Sequence, residues 1–285
     1  MKILITGASG QLGKELNNQL CTVDNVELLL TDVGEMDITS IDSVKKVMNG
    51  FNPDVVINCA AHTAVDLCED DVSNAFLINQ IGAENLAIVS NENNASIVQV
   101  STDYVYDGLK GSPYCEDDVT NPQNVYGESK LKGELSVIRN NARHFIVRTA
   151  WLYGEGKNFV RTMLSFSEKV DKLKVVNDQT GSPTSTKELA KAIIALIDTE
   201  HYGIYHGTCE GYCTWYDFAV EIFKLSNISI EVEPCTSQEF VQKAKRPEYS
   251  VLVNNSFDKN LNYKFADWKI ALKEYLETSL KTEEK

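Results

Sequence analysis

The chain has 285 residues, and 27 Lys and Arg stand against 41 Asp and Glu for a formal net charge of -14. That length allows one large domain or two modest ones with ample core, and the acidic balance argues against non-specific binding to nucleic acid or to an anionic membrane surface. No apolar run approaches the ~20 residues of a membrane span. A structured apolar run begins already at Lys2, which is too early for a signal peptide, so a cytoplasmic location is expected.

Residues 2–6 form a short apolar run with β-branched Ile, which breaks into Gly7-Ala8-Ser9-Gly10-Gln11-Leu12-Gly13 before a helical stretch at 14–20. Strand, glycine loop and helix in this order suit a dinucleotide pyrophosphate. Glycine permits the tight turn, lets the backbone approach the anion and lets helix pack closely on strand, while the first free N–H groups of the helix point at the charge. Gly7, Ser9, Gly10, Gln11, Leu12 and Gly13 are therefore candidate cofactor contacts.

A second buried-strand pattern at 26–31 ends at Asp32, nineteen residues after Gly13. This is close to the place where an acid binds an adenosine ribose hydroxyl. A carboxylate here repels a ribose 2′-phosphate, so charge alone favours NAD(H) over NADP(H); the plainer alternative is a turn residue at a strand end. Asp37-Ile38-Thr39-Ser40 can open the next helix with Thr39 or Ser40 as N-cap, and a group here could also reach adenine, which adds Asp37 and Ile38 to the candidates.

A third strand at 54–58 precedes Cys59-Ala60-Ala61-His62-Thr63-Ala64-Val65-Asp66, whose small residues allow a flat ligand to lie against the backbone. Ala60, Ala61 and Thr63 join the cofactor set, whereas a loop histidine such as His62 is more often a hydrogen-bonded structural residue. After a helix at 73–91 comes a fourth strand at 95–100, with Ser101-Thr102-Asp103-Tyr104-Val105-Tyr106 at its carboxyl end, the edge where open parallel sheets bind ligands. Residues 109–125 read as an irregular flap. Then Tyr126-Gly127-Glu128-Ser129-Lys130 places a phenol and an ammonium four residues apart on one helix face. A cation beside Tyr126 favours the phenolate and moves its pKa toward working pH. Such pairs also arise by chance on many helices, so the pair gains meaning only if a hydroxyl at Ser101 or Thr102 meets it.

A fifth strand at 144–148 leads to Trp151 and Tyr153, aromatics that either pack on a sugar face or close a core. A helix at 158–169, a strand at 173–176, a polar turn at 177–183 and a helix to 197 capped by Thr184, Ser185 or Thr186 follow. A short strand at 203–206, a helix at 215–225 capped by Thr214, a strand at 231–234 and a helix at 266–280 complete a smaller lobe, with a charged, frayed tail at 281–285. Phe218, Ile222, Phe223 and Leu225 read as core. Lys243, Lys245 and Arg246 form a cationic cluster that suits either a nucleotide-sugar diphosphate or a solvated face. The seven Cys are odd in number and scattered, as expected of reduced structural thiols, and Cys209, Cys213 and His206 fall short of a metal set.

The expected fold is α/β, a Rossmann-type doubly wound parallel sheet with a smaller α/β C-terminal substrate lobe. Residues 1–150 would form the dinucleotide-binding domain, helices from about 155–200 would return to it, and 201–285 would be mainly the substrate lobe.

The glycine loop, the 101–106 segment and the 126–130 segment resemble the extended short-chain dehydrogenase/reductases. Residues 58–66, Arg148-Thr149-Ala150-Trp151-Leu152-Tyr153-Gly154 and Asn177-Asp178-Gln179-Thr180-Gly181-Ser182-Pro183-Thr184 extend the resemblance, more narrowly, to the dTDP-4-dehydrorhamnose reductase family, over residues 1 to about 275. The resemblance implies NAD(P)H-dependent reduction of the 4-keto group of dTDP-4-dehydro-L-rhamnose. Tyr126 would donate the proton, Lys130 would lower its pKa and hold the nicotinamide ribose, and Thr102 would orient the carbonyl. Thr102, Asp103, Tyr104 and Trp151 would touch the substrate, a nucleotide-sugar. NADP(H) is the usual cofactor of the family, and NAD(H) is accepted by several members. Some members are thought to dimerise around Mg²⁺; Glu15 and Glu188 match part of that acidic set, but Ala192 stands where another carboxylate is expected, so the metal is doubtful and a homodimer stays open. Two alternatives are a nucleotide-sugar epimerase or dehydratase, for which Asp103 with no Glu after Thr102 is a poorer fit, and a non-catalytic cofactor-binding regulatory subunit, against which the complete Thr102, Tyr126 and Lys130 set argues.

Overall fold

In the computed structural model, which describes residues 1–283 and side chains through 278, the first half of the chain lays down five parallel strands. They are β1 (Lys2–Thr6), β2 (Glu27–Thr31), β3 (Val55–Asn58), β4 (Ser96–Thr102) and β5 (His144–Thr149). A sixth, Gly203–His206, pairs with β5, and the order across the sheet is Gly203–His206, β5, β4, β3, β1, β2. All neighbours run parallel. Their near-continuous apolar runs, with Ile3, Leu4, Ile5, Val56 and Ile57 fully buried, reflect a sheet covered by helices on both faces. The fold is thus the expected doubly wound α/β sheet. The chain steps from β1 outward to β2 and then back across to β3, so the topological switch point lies between β1 and β3. Ligands bind such sheets in the crevice at the carboxyl ends there.

Two expected elements differ in detail. The helix expected at 73–91 is three pieces, Val72–Phe76, a π turn Leu77–Gly82 and Ala83–Glu92. The extra residue of the π turn presents the buried Asn79, which grips the His62 backbone at both its N–H (2.8 Å) and its carbonyl (3.1 Å) and donates to Ser129 Oγ at 2.9 Å. β4 runs on to Thr102, so Ser101 and Thr102 are its last two residues and Thr102 sits opposite Thr149 of β5.

The second layer draws on residues before and after the sixth strand. Lys172–Val176 pairs in parallel with Glu231–Cys235. The helices Phe159–Ser167, Trp215–Leu225 and Trp268–Glu283 pack around them over a core that includes Tyr153, Val160, Phe218, Ile222 and Leu272. The helix Thr186–Ile197 instead lies against Gln11–Leu20 on the main sheet, its N-terminus capped by Ser185. Residues 284–285, the end of the charged tail, lie outside the described residues. All seven cysteines are free thiols.

Where the π turn crosses the helix Val125–Asn140, a Cβ added at Gly133 would lie 2.1 Å from the Asn79 carbonyl oxygen, whereas one at Gly50 would meet nothing within 4 Å. Gly133→Ala is therefore expected to cost about 1–3 kcal/mol of stability as a forced overpacking, and Gly50→Ala, inside a helix, to be neutral or gain up to about 1 kcal/mol. Denaturant unfolding of both variants checks this; a Gly133→Ala protein as stable as its parent would show that the crossing is not close.

Candidate active site

The carboxyl ends of β1, β3, β4 and β5 open into one cleft of about 910 Å³. At one end lies the glycine loop. Gly7 has φ +62°, and a Cβ there would stand 2.7 Å from the Ala60 amide nitrogen; at Gly13 it would stand 2.4 Å from the Gly7 carbonyl. Only glycine lets β1, the helix and the loop after β3 meet so closely. Gly10 caps that helix with no side chain, and its first turn carries no acid, so its amides face the cleft without a competing protein acceptor. The cradle fits a dinucleotide pyrophosphate.

Asp32, Asp37 and Ile38 line the same end. Asp32 accepts from the Ser9 amide at 2.9 Å, which ties the glycine loop to the end of β2. Asp37 accepts from the Thr39 amide and hydroxyl at 2.9 and 2.7 Å, while Ser40 is the N-cap of the next helix. Gln11, Leu12, Ala60, Ala61 and Thr63 also line the cleft; Ser9 does not, and serves the site through its amide. Among the described lining residues the single cation is Lys130, at the far end, so the adenosine end is acidic.

At that far end the structure brings Thr102, Asp103, Tyr104, Tyr126, Lys130 and Trp151 onto one wall. Asn124 caps the Tyr126 helix through the Gly127 amide at 2.8 Å, and a Cβ at Gly127 would lie 2.2 Å from the Tyr104 carbonyl oxygen, so helix and strand end touch backbone to backbone. Tyr104 then meets Tyr126 edge to face, centroids 5.5 Å apart. The Thr102 hydroxyl donates to Asp103 Oδ1 at 2.9 Å, accepts from the Tyr104 amide at 3.2 Å, and reaches the Tyr126 phenol. Lys130, 4% exposed, donates to the Val100 carbonyl at 2.6 Å.

Burial dominates the electrostatics. It pushes the Tyr126 phenol up, with the Thr102 hydroxyl pulling the other way. It pushes Lys130 down to about 8, against the pull of Glu134 one turn along the helix. The expectation that Lys130 sets the Tyr126 phenol low is thus corrected: loss of water around the ring and then the neighbouring Asp103, Tyr104 and Cys68 all push it up, and only the Thr102 hydroxyl opposes them. Asp103 is raised to about 6 by burial, opposed by hydrogen bonds from Ser250 and Thr102. Its Oδ2 and the Thr149 Oγ1 are enclosed behind the cleft wall with no hydrogen-bond partner among the described residues.

The cationic cluster does not line the cleft, although Arg246 backs its wall at Tyr104. Lys243 pairs with Asp70, and Arg246 pairs with Asp66 at 3.1 Å while standing over the Tyr104 ring, so these residues fasten the 236–249 segment to the 62–71 segment. Glu188 is engaged by Lys191 and the Ala266 amide, and Ala192 is fully buried. His62 turns its ring to the Cys68 sulfur at 3.2 Å, away from the lining. The residue most clearly missed in the sequence is Trp215, which lines the cleft and lies face to face with Trp151, centroids 3.5 Å apart and planes within 7°. Read as the first residue of an amphipathic helix, it carried no signal of its own.

Residues 1–281 match the family model described as the RmlD substrate binding domain. The chain is 42% identical to the spore coat polysaccharide biosynthesis protein SpsK of Bacillus subtilis, over 97% of each chain. A crystal structure of a dTDP-4-dehydrorhamnose reductase from Clostridium acetobutylicum superposes with a TM-score of 0.97 at 52% identity, covering 98% of this chain and 100% of that one. That of a dTDP-4-dehydrorhamnose reductase from Bacillus anthracis, in complex with NADP, gives 0.95 at 38% identity, covering 97% and 99%. The chain belongs to the RmlD substrate-binding family.

The acidic adenosine end makes cofactor choice a test of charge. Asp32→Asn keeps an acceptor for the Ser9 amide and removes the negative charge, so the ratio of kcat/KM for NADPH to that for NADH is expected to rise about tenfold, the equivalent of roughly 1–2 kcal/mol of relieved repulsion. Steady-state kinetics with both cofactors measures it; an unmoved ratio would mean that Asp32 does not face the 2′-position.

Proposed function

We propose that this chain, as a member of that family, reduces the 4-keto group of dTDP-4-dehydro-L-rhamnose to give dTDP-L-rhamnose. The observation that carries the reading is the meeting of Thr102, Tyr126 and Lys130 on one cleft wall, with a glycine cradle at the other end of the same cleft. A bound dihydronicotinamide supplies the hydride.

The chain's own residues do the rest. Gly7, Gly10 and Gly13 bring backbone amides to the pyrophosphate. Lys130 has one donor spent on the Val100 carbonyl and two more to offer. They suit the nicotinamide ribose and the phenolate that Tyr126 leaves behind. Thr102 stands within reach of the Tyr126 phenol and, by turning its one O–H from Asp103 Oδ1, can donate to the substrate carbonyl, and Tyr126 delivers its proton to the oxygen as negative charge develops there. An alkoxide is a far stronger base than a phenolate, so a phenol pushed up by burial still gives its proton downhill. Asp103, which holds the Thr102 hydroxyl through Oδ1, lines the same space. In this reading the sheet domain holds the dinucleotide, and the second layer, through Trp151 and its neighbours, shapes the sugar side.

Tyr126→Phe is expected to lose on the order of 10²-fold or more in kcat with cofactor binding unchanged. The test is NADPH and NADH oxidation by the purified protein with dTDP-4-dehydro-L-rhamnose, with the product identified; near-normal turnover by Tyr126→Phe, or none by the wild type, would overturn the assignment. The pH profile has a worked sign. Lys130 is an ammonium below about pH 8 and an amine above it, whereas burial keeps the Tyr126 phenol protonated throughout that range. Rate should therefore hold level through neutrality and fall above about pH 8, approaching tenfold per pH unit, with Lys130 rather than Tyr126 as the titrating group.

A further inference from the structure

Trp151 is an outlier in its backbone. Its φ of 48° lies in the left-handed region, where the other non-glycine residues among those described are all Asn. A large side chain there is strained and persists only where its surroundings hold it. Three contacts do so. Gly181 makes room for the indole, since a Cβ at that position would lie 2.5 Å from the ring. The Trp151 carbonyl accepts from the Thr184 amide at 3.3 Å. Trp215 covers one whole face of the ring, 3.5 Å between centroids.

Trp215 is itself fixed from the second layer. Thr214 and Asp217 form a capping box that sets the helix start. Phe159 packs against the indole at 4.5 Å, and the indole N–H donates to Gln179 Oε1 at 3.2 Å, with Gln179 in turn donating to Ser237. Both tryptophans are half-buried and both line the cleft. A face-to-face pair with nearly full overlap is not the arrangement two free indoles choose. Its persistence here reflects the scaffolds on either side.

We infer that Trp215 is a positioning residue for the nucleotide-sugar: by stacking on Trp151 it offsets the strain of the left-handed backbone and holds the Trp151 indole in the wall of the catalytic end. Without that stack, Trp151 relaxes toward the right-handed region and its ring leaves the wall against which the sugar packs. The inference rests on the reading of the cleft as a nucleotide-sugar site, and it assigns to Trp215 no contact with the cofactor.

The test is a double-mutant cycle on Trp151→Ala, Trp215→Ala and the double variant, read both as KM for dTDP-4-dehydro-L-rhamnose and, without turnover, as calorimetric Kd for dTDP-L-rhamnose. Trp215→Ala should raise both about tenfold or more, with kcat changed less than about threefold and KM for NADPH unmoved. The double variant should be no worse than Trp151→Ala alone, because the two act as one unit. Trp215→Phe should recover most of the loss. Additive effects, or an unchanged Kd in a folded Trp215→Ala protein, would overturn the inference. If Trp215→Ala does not fold, Trp215→Leu and Trp215→Phe complete the cycle, and a leucine as effective as phenylalanine would overturn it too. A wild-type protein that binds dTDP-L-rhamnose but reduces no ketone would sink the proposed reaction and leave the role of Trp215 standing; an active wild type indifferent to Trp215 would do the reverse.

Discussion

Burying the Lys130 ammonium is the constraint around which the catalytic end is built. A charge taken out of water must be paired and hydrogen-bonded or it loses its proton. Lys130 has the Val100 carbonyl at its tip and the Glu134 carboxylate one turn along. Glu134, itself 1% exposed, needs partners in turn: Arg148 supplies a 2.7 Å ion pair and the Ser101 hydroxyl donates at 2.5 Å. Arg148 passes the requirement on to the Tyr106 hydroxyl at 2.7 Å, which meets His206 Nε2 at 2.8 Å. His206, from the sixth strand, is pushed down to about 3 by burial and by the nearby guanidinium, so the chain of pairings ends on a neutral ring. The adjacency of Gly203–His206 to β5 is thus part of the same solution as the lysine. Lys130 and Arg148 stand against Glu134 and, at neutral pH, the Asp103 carboxylate on the same wall, so the charges buried at this end offset one another.

Much of this could be read in the residues. The glycine loop, the strand-end hydroxyls and the Tyr-Lys spacing are local signals, each with its chemistry inside a few consecutive positions. Thr214 and Ser185 as helix caps were legible for the same reason. What could not be read is what depends on partners far away in the chain. Glu134 looks like an ordinary helix acid until Arg148 and Ser101 fold around it. The π turn is set by Asn79 reaching both the 62 backbone and Ser129, three places that sequence periodicity treats separately. Trp215 reads as the apolar start of an amphipathic helix, and its meeting with Trp151 is a consequence of how two layers dock. The burial-driven shift of Tyr126 belongs here too, because spacing reports neighbours and not the loss of water.

The two ends of the cleft differ in charge: the adenosine end is lined by two acids, the other by a lysine and an acid. Asp32 and Asp37 sit where β2 ends and the next helix is capped, so the acids that hold those turns also face the adenosine end. At the other end, under the Tyr126 helix, Lys130 and the Asp103 carboxylate offset one another. In the proposed reading a dinucleotide has its adenosine ribose beside the acids and its nicotinamide ribose beside the Lys130 donors, which suits one direction of binding along the cleft.

Burial moves Tyr126 and Lys130 in opposite directions, and both shifts suit the reduction proposed for them. Removing water favours the neutral form of each group, so the phenol rises and the ammonium falls. A raised phenol keeps its proton until a stronger base, the nascent alkoxide, appears beside it, which guards against loss of the proton to solvent. A lysine brought down to about 8 is still charged at neutral pH, and the moment Tyr126 becomes a phenolate the nearby ammonium is stabilised by it. The pair is therefore held apart in charge while the cleft waits and drawn together only once the proton has moved. A cation strong enough to ionise Tyr126 beforehand would leave no proton to give, so a phenol kept neutral by burial is what a proton donor in this position requires.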